Sequence, residues 1–138
     1  MKTYTAAELA EIIELHHKWL SGEGGGVRAD LRYANLAYVD LRYADLRYAD
    51  LMDISSLWGA VGNLSEIKSI QCDKWEVTYT EDRLQIGCQF YKIEEWWAFS
   101  DKEIALMDGS ALAWWAIWKP IIRLIIETSP ATPQKKAE

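Results

Sequence analysis

The chain has 138 residues, half of them hydrophobic, and a formal net charge of −6. That length bounds it to one domain or one and a half, with enough apolar residues for a real core. The acidic balance argues against nucleic-acid backbone binding as the main task, which needs a basic surface, and serves chiefly solubility.

Residues 1–11 carry no apolar run after Lys2, so no signal peptide is read and a cytoplasmic location is expected. Thr5, Ala6, Ala7 and Glu8 form a capping box, in which hydroxyl and carboxylate satisfy exposed backbone N–H groups. The spacing of Leu9, Ile12, Ile13, His16 and Leu20 predicts a helix over 6–20. Ser21 and Gly22 end it, and Gly24, Gly25 and Gly26 read as a flexible joint. The segment 1–26 is expected to cap the region that begins at Val27. His16 and His17 point about 100° apart on a helix, which reads as a surface pair with no catalytic role.

Residues 27–53 repeat with period five: VRADL RYANL AYVDL RYADL RYADL MD. Leucine recurs at 31, 36, 41, 46 and 51, and a small apolar residue sits two places before each. Asp or Asn lies between them, and Tyr33, Tyr38, Tyr43 and Tyr48 follow four of the leucines. Neither a helix nor a long strand has this period. Within a unit, residues two apart face the same way in extended chain. Extended pair plus corner, repeated, makes a solenoid lined by the Ala and Leu positions.

These units, ADLRY, ANLAY, VDLRY, ADLRY and ADLMD, resemble those of pentapeptide-repeat proteins. The resemblance implies a right-handed quadrilateral β-helix with four units per coil, and so Leu31 beneath Leu51. Characterised members of that family include DNA mimics that bind DNA gyrase. Here Arg32, Arg42 and Arg47 interleave with the aspartates, so the outer face is zwitterionic. The layout of helix, brief repeat and Trp-rich tail is similar to that of small phage and prophage proteins. The fold class expected is mainly β with flanking helices: a short β-helix over 27–66, irregular after 53, between an N-terminal helix and a hairpin-plus-helix region over 67–128.

After Asp53 the pattern decays, with Ile54, Leu57, Trp58, Ala60 and Val61 as an irregular continuation. Strands are expected over 67–79 and 83–90, the second alternating Leu84, Ile86, Cys88 and Phe90. Thr80, Glu81 and Asp82 form the turn between them, and the hairpin is expected to cap the far end of the coil. Cys72 and Cys88, placed in strands, read as buried free thiols, with a disulfide or a metal pair as alternatives. A short helix is expected over 93–99. A second capping box, Ser100 to Glu103, opens a helix to about 107. A long helix over 110–128 is bent at Pro120. The last helix is apolar almost all round, too short and too charged to span a membrane, and so is expected to be buried on several sides. A homodimer through Trp114, Trp115, Trp118, Ile122 and Ile125 is the expected explanation. The tail, 129–138, is expected to be disordered.

No phosphate loop, triad or HExxH motif occurs, and no enzyme activity, cofactor or metal is expected. The expected function is a binding protein, an inhibitor from a phage or mobile element that occupies a bacterial host macromolecule. Its target would be a defence complex or a DNA-handling enzyme, with nucleic-acid mimicry as one means. The surface expected to do this comprises Asp30, Arg32, Asp40, Arg42, Asp45, Arg47 and Asp50 with Tyr38, Tyr43 and Tyr48, since Tyr and Arg are favoured anchors. The alternative for these charges is simple pairing between neighbouring rungs. Two other functions stay open: a sponge for a nucleotide signal, stacked on the tryptophans, and a structural or assembly protein. No direct nucleic-acid or membrane contact is expected.

Overall fold

The computed structural model describes residues 2–133. Among these, the repeat leucines and their small partners do what their spacing demands. Leu31, Leu36, Leu41, Leu46 and Leu51 have no exposed surface, and Ala29, Ala34 and Ala49 lie beside them in one core. After each of four leucines the chain turns: the amides of Ala34, Val39, Ala44 and Ala49 donate to the carbonyls of Leu31, Leu36, Leu41 and Leu46 at 3.0–3.2 Å. The chain then comes back over itself, with parallel bridges Asp30–Asp50, Asn35–Ser56 and Asp40–Val61. The offset changes from twenty to twenty-one between the first and second bridge. One residue is inserted after Asp50, yet Ile54, Leu57 and Ala60 still point into the core.

The helix α1 (Ala6–Leu20) opens with the expected capping box, Thr5 and Glu8 each bonding the other's amide. It buries Leu9 and His16 and packs Ile12 and Ile13 on the repeat core. Before it, β1 (Lys2–Thr3) pairs in parallel with β2 (Ala34–Asn35). In the Gly24–Gly26 joint, Gly24 and Gly25 face open space but Gly26 does not. A Cβ on Gly26 would run into the backbone of Trp19, so this glycine permits a close approach.

The next elements form an antiparallel sheet in sequence order: β3 (Lys68–Ile70), β4 (Val77–Tyr79), β5 (Arg83–Ile86) and β6 (Gln89–Lys92). In place of the two long strands that the sequence predicts, the chain makes a four-stranded meander. Gly87, at positive φ, turns β5 into β6, and residues 71–76 loop between β3 and β4. Both cysteines therefore fall in loops, free and exposed, rather than buried in strands. The helices α2 (Ile93–Ala98), α3 (Asp101–Ala105) and α4 (Ala111–Thr128) cover this sheet. Val77, Tyr79, Leu84, Ile86, Trp96, Trp115 and Ile122 make a second core there.

Taken whole, the described chain is mixed α/β with helices, not mainly β: its sheets are small and its repeat touches itself through isolated bridges. Two further expectations are corrected. Trp115 and Ile122 are buried within the chain, and Trp114, Trp118 and Ile125 pack on the same core. The outward face of α4 is instead Leu112, Ile117, Ile121 and Leu124. The start of the tail is also held. The Ser129 carbonyl accepts from Tyr79 Oη at 2.7 Å, the Thr132 amide donates to the Ser65 carbonyl at 2.9 Å, and Ala131 is buried. The remainder of the tail expected to be disordered, 134–138, lies outside the described residues. No helix among them is long and apolar enough to cross a membrane.

Candidate functional site

Each Asp or Asn of the repeat works first on its own backbone. A carboxylate or amide oxygen accepts the amide two residues on: Asp30 from Arg32, Asn35 from Ala37, Asp40 from Arg42, Asp45 from Arg47 and Asp50 from Met52, at 2.9–3.2 Å. This Asx turn sets the corner. The same carboxylates also hold arginines of their own unit. Arg32 meets Asp30 at 2.7 Å, Arg42 meets Asp40 at 2.6 Å and Arg47 meets Asp45 at 2.8 Å. The pairing is thus chiefly within a unit rather than between rungs, although Arg32 is also 3.6 Å from Asp50 on the next rung. Hydrogen bonds from the arginines pull the carboxyls of Asp30 and Asp40 down to about 2 and lower that of Asp45.

The expected site residues do not form one ladder. The chain regains a given side only after twenty residues, so Asp30 and Asp50 stack, while Asp40 and Asp45 sit on other sides. Tyr38, Asp40, Arg42 and Tyr43 gather against α1, around a groove of about 650 Å³. Its walls include Leu9, Ala10, Ile13 and Glu14 from the helix and Val39 and Ala44 from the repeat. Asp45 and Arg47 lie apart from it, beside His17 and Leu20. Tyr48 lies near Glu66 and Thr132. Tyr43 is 96% exposed and Tyr38 70%. Tyr38 leans on Trp58, with ring centres 5.8 Å apart, over Gly59, where a Cβ would strike its ring.

The histidines, read from sequence as a surface pair, fix the helix to the repeat. The Ala29 amide donates to His16 Nδ1 at 2.9 Å, and His16 Nε2 donates to the Arg47 carbonyl at 2.8 Å. His16 is therefore neutral with its proton on Nε2; burial lowers its pKa, and the bond to Arg47 works the other way. The Asp45 amide donates to His17 Nε2 at 3.1 Å. Nothing in the local sequence marks this role, because both partners lie across the fold.

A second concavity, of about 80 Å³, lies in the other half of the chain, lined by Trp75, Trp96, Trp114, Trp115 and Cys88. Trp114 Nε1 donates to Asp73 at 2.7 Å and Trp96 Nε1 to the Leu84 carbonyl at 2.8 Å, but the buried Trp115 Nε1 has no partner among the described residues. Among the described residues no group of three or more His, Cys, Asp or Glu is placed to hold a metal ion.

A family model described as pentapeptide repeats (8 copies) matches residues 27–53. Residues 27–53 therefore carry pentapeptide repeats, and the match stops where the inserted residue breaks the five-residue phase. Proteins with such repeats are often protein-interaction or binding proteins. No curated protein and no solved structure matches the chain.

Proposed function

We propose that this chain is a non-enzymatic protein-binding module whose binding surface is the side carrying Tyr38, Asp40, Arg42 and Tyr43. The observation that carries this reading is the pair of highly exposed tyrosines beside an Arg–Asp pair, held on a hydrogen-bonded rung. Tyrosine and arginine are the side chains most used as interface anchors. A fixed backbone lowers the ordering cost of binding. The segment 27–66 is then a short right-handed quadrilateral β-helix, capped by 1–26 and followed by a separate unit over 67–128. In its fuller form the protein acts in a bacterial cytoplasm, as a phage or mobile-element inhibitor that occupies a host defence complex or DNA-handling enzyme. Nucleic-acid mimicry is the weaker means, because Asp30, Asp40 and Asp45 are each neutralised by an arginine. A homodimer is retained, through the outward face of α4 at Leu112, Ile117, Ile121 and Leu124.

Affinity purification of tagged protein, wild type against a Tyr43→Ser, Arg42→Ser double variant, tests the reading. A stoichiometric partner lost from the variant, while circular dichroism is unchanged, supports it. A partner retained by the variant moves the surface elsewhere. A second reading, a small-molecule binder, is favoured by the unpartnered Trp115 N–H in an aromatic-lined cavity. A flat ligand bearing a hydrogen-bond acceptor would satisfy it.

A further inference from the structure

An open end of a wound chain leaves unpaired backbone groups, which recruit other strands. At this end of the repeat the N-terminal segment closes part of that edge. Lys2 and Thr3 add a parallel strand to Ala34–Asn35, with the Lys2 amide donating to the Tyr33 carbonyl at 2.9 Å. His17 takes the Asp45 amide. Between these two lies Asp40. Besides their own corner turns, its neighbours bond toward the far side: the Leu41 amide donates to the Val61 carbonyl, and the Val61 amide to the Val39 carbonyl, each at 2.9 Å. Among the described residues the Asp40 amide and carbonyl have no hydrogen-bond partner. The groove between α1 and the repeat runs along this same stretch, from Ala37 to Ala44.

We propose that this groove takes an extended peptide segment of a partner protein as an added parallel strand on Val39–Leu41, beside the one that Lys2–Thr3 already supplies. The proposal rests on the protein-binding reading and names the chemistry of the partner. Backbone bonds to Asp40 give affinity, and alternate side chains give specificity. One side chain of the peptide descends between Leu9 and Ile13 on the helix and Val39 and Ala44 on the repeat, so it is apolar. Of the charged residues on the groove, Arg42 is paired with Asp40, which leaves Glu14 at the wall of a chain with a net charge of −6, so flanking Lys or Arg is favoured. Tyr38 and Tyr43 close over the outer edge.

The test uses the full chain and a displayed library of random peptides, followed by residue-resolved amide exchange with the enriched peptides. Ala10 is exposed and lines the groove, so Ala10→Trp fills the groove while leaving the core intact. The expected result is enriched peptides with an apolar residue flanked by basic ones, which slow exchange of the Asp40 amide about tenfold or more and lose binding to Ala10→Trp. Peptides that protect another segment, or that bind Ala10→Trp equally well, overturn the groove proposal but leave the protein-binding reading standing. Self-association of the chain with Asp40 protected, and no peptide enriched, assigns the edge to a second copy and also overturns it. If no peptide is enriched and no partner depends on Tyr43 and Arg42, both readings fall.

Discussion

Tyr33, Tyr38, Tyr43 and Tyr48 all take positive φ, between 62° and 69°, and Asp53 has the same sign at 53°. They are the third residues of the corner turns, where the chain must adopt a left-handed conformation that costs an L-residue about 1–2 kcal/mol. Tyr43 is almost wholly exposed, so its side chain repays little of that through packing. Replacing it separates conformation from contact. Tyr43→Val is expected to cost about 1–2 kcal/mol, because a β-branched residue tolerates positive φ worst, whereas Tyr43→Asn is expected to be neutral within about 0.5 kcal/mol. Urea denaturation of the two variants checks this. The positions of these corners were legible as a period of five. Their backbone strain was not, since tyrosine has no special liking for that region, and the tyrosines, though placed at corners, read as interface anchors. The aspartates were half legible: their exposure was read, but their Asx-turn role was masked by the arginines two residues on.

At the far end of the repeat the sheet packs on the last turn, with Ser69 of β3 accepting the Gly62 amide, Phe90 of β6 on the repeat core and Gln85 of β5 on Leu57. Gln85 is buried, accepts the Leu57 amide at 2.9 Å and donates to the Gly87 carbonyl at 3.0 Å. The alternation Leu84, Ile86 placed Gln85 on the polar face, which is correct for an isolated hairpin. Here that face meets the last turn of the repeat, so both faces are covered, and the expected cap is present through a residue the pattern passed over. Gln85→Leu leaves the Leu57 amide buried and unpaired, which is expected to cost about 1–3 kcal/mol and to raise exchange at Leu57 before it does at Leu31. Helix α1 was read to the residue because its capping box and apolar spacing agree. Helix α4 was read for its length but not for its facing. Its composition is apolar nearly all round, and only docking on the sheet decides that Trp115 and Ile122 turn inward while Ile117 and Leu124 do not. Ile117→Glu with Leu124→Glu is expected to leave the fold intact and to abolish any dimer, as read by sedimentation velocity; a dimer surviving both changes would remove α4 from the interface.

Two cores, one lined by the repeat and one between sheet and helices, are joined in a single chain whose first core is locked from the N-terminal side by His16. Burial lowers the pKa of His16, against the pull of the Arg47 carbonyl and Asp45 and with the push of His17 and Arg28. The unfolded chain then binds this proton first. The contribution of His16 is complete above about pH 6.5 and is lost as the pH falls below it. The Asp30 and Asp40 pairs act lower, present above about pH 4 and lost toward about 2. Denaturation midpoints are expected to fall between about pH 7 and 5 in the wild type. His16→Phe should start lower and show a flatter fall; an unchanged slope would remove His16 as the cause. None of this was visible in the sequence, where two adjacent histidines on a helix have no partner.

At the scale of the whole molecule, the repeat crosses over itself through isolated bridges, and among the described residues its edge is closed on either side of Asp40 but open at it. Residue-resolved hydrogen exchange of the free chain tests this most directly. The amides of Leu31, Leu36 and Leu41, which bond the next rung at 2.8–3.0 Å, are predicted to exchange slowly, as are those of Ala29 and Asp45 under the histidines, while that of Asp40 exchanges freely. A protected Asp40 amide, or rapid exchange at Leu36 and Leu41, would contradict it.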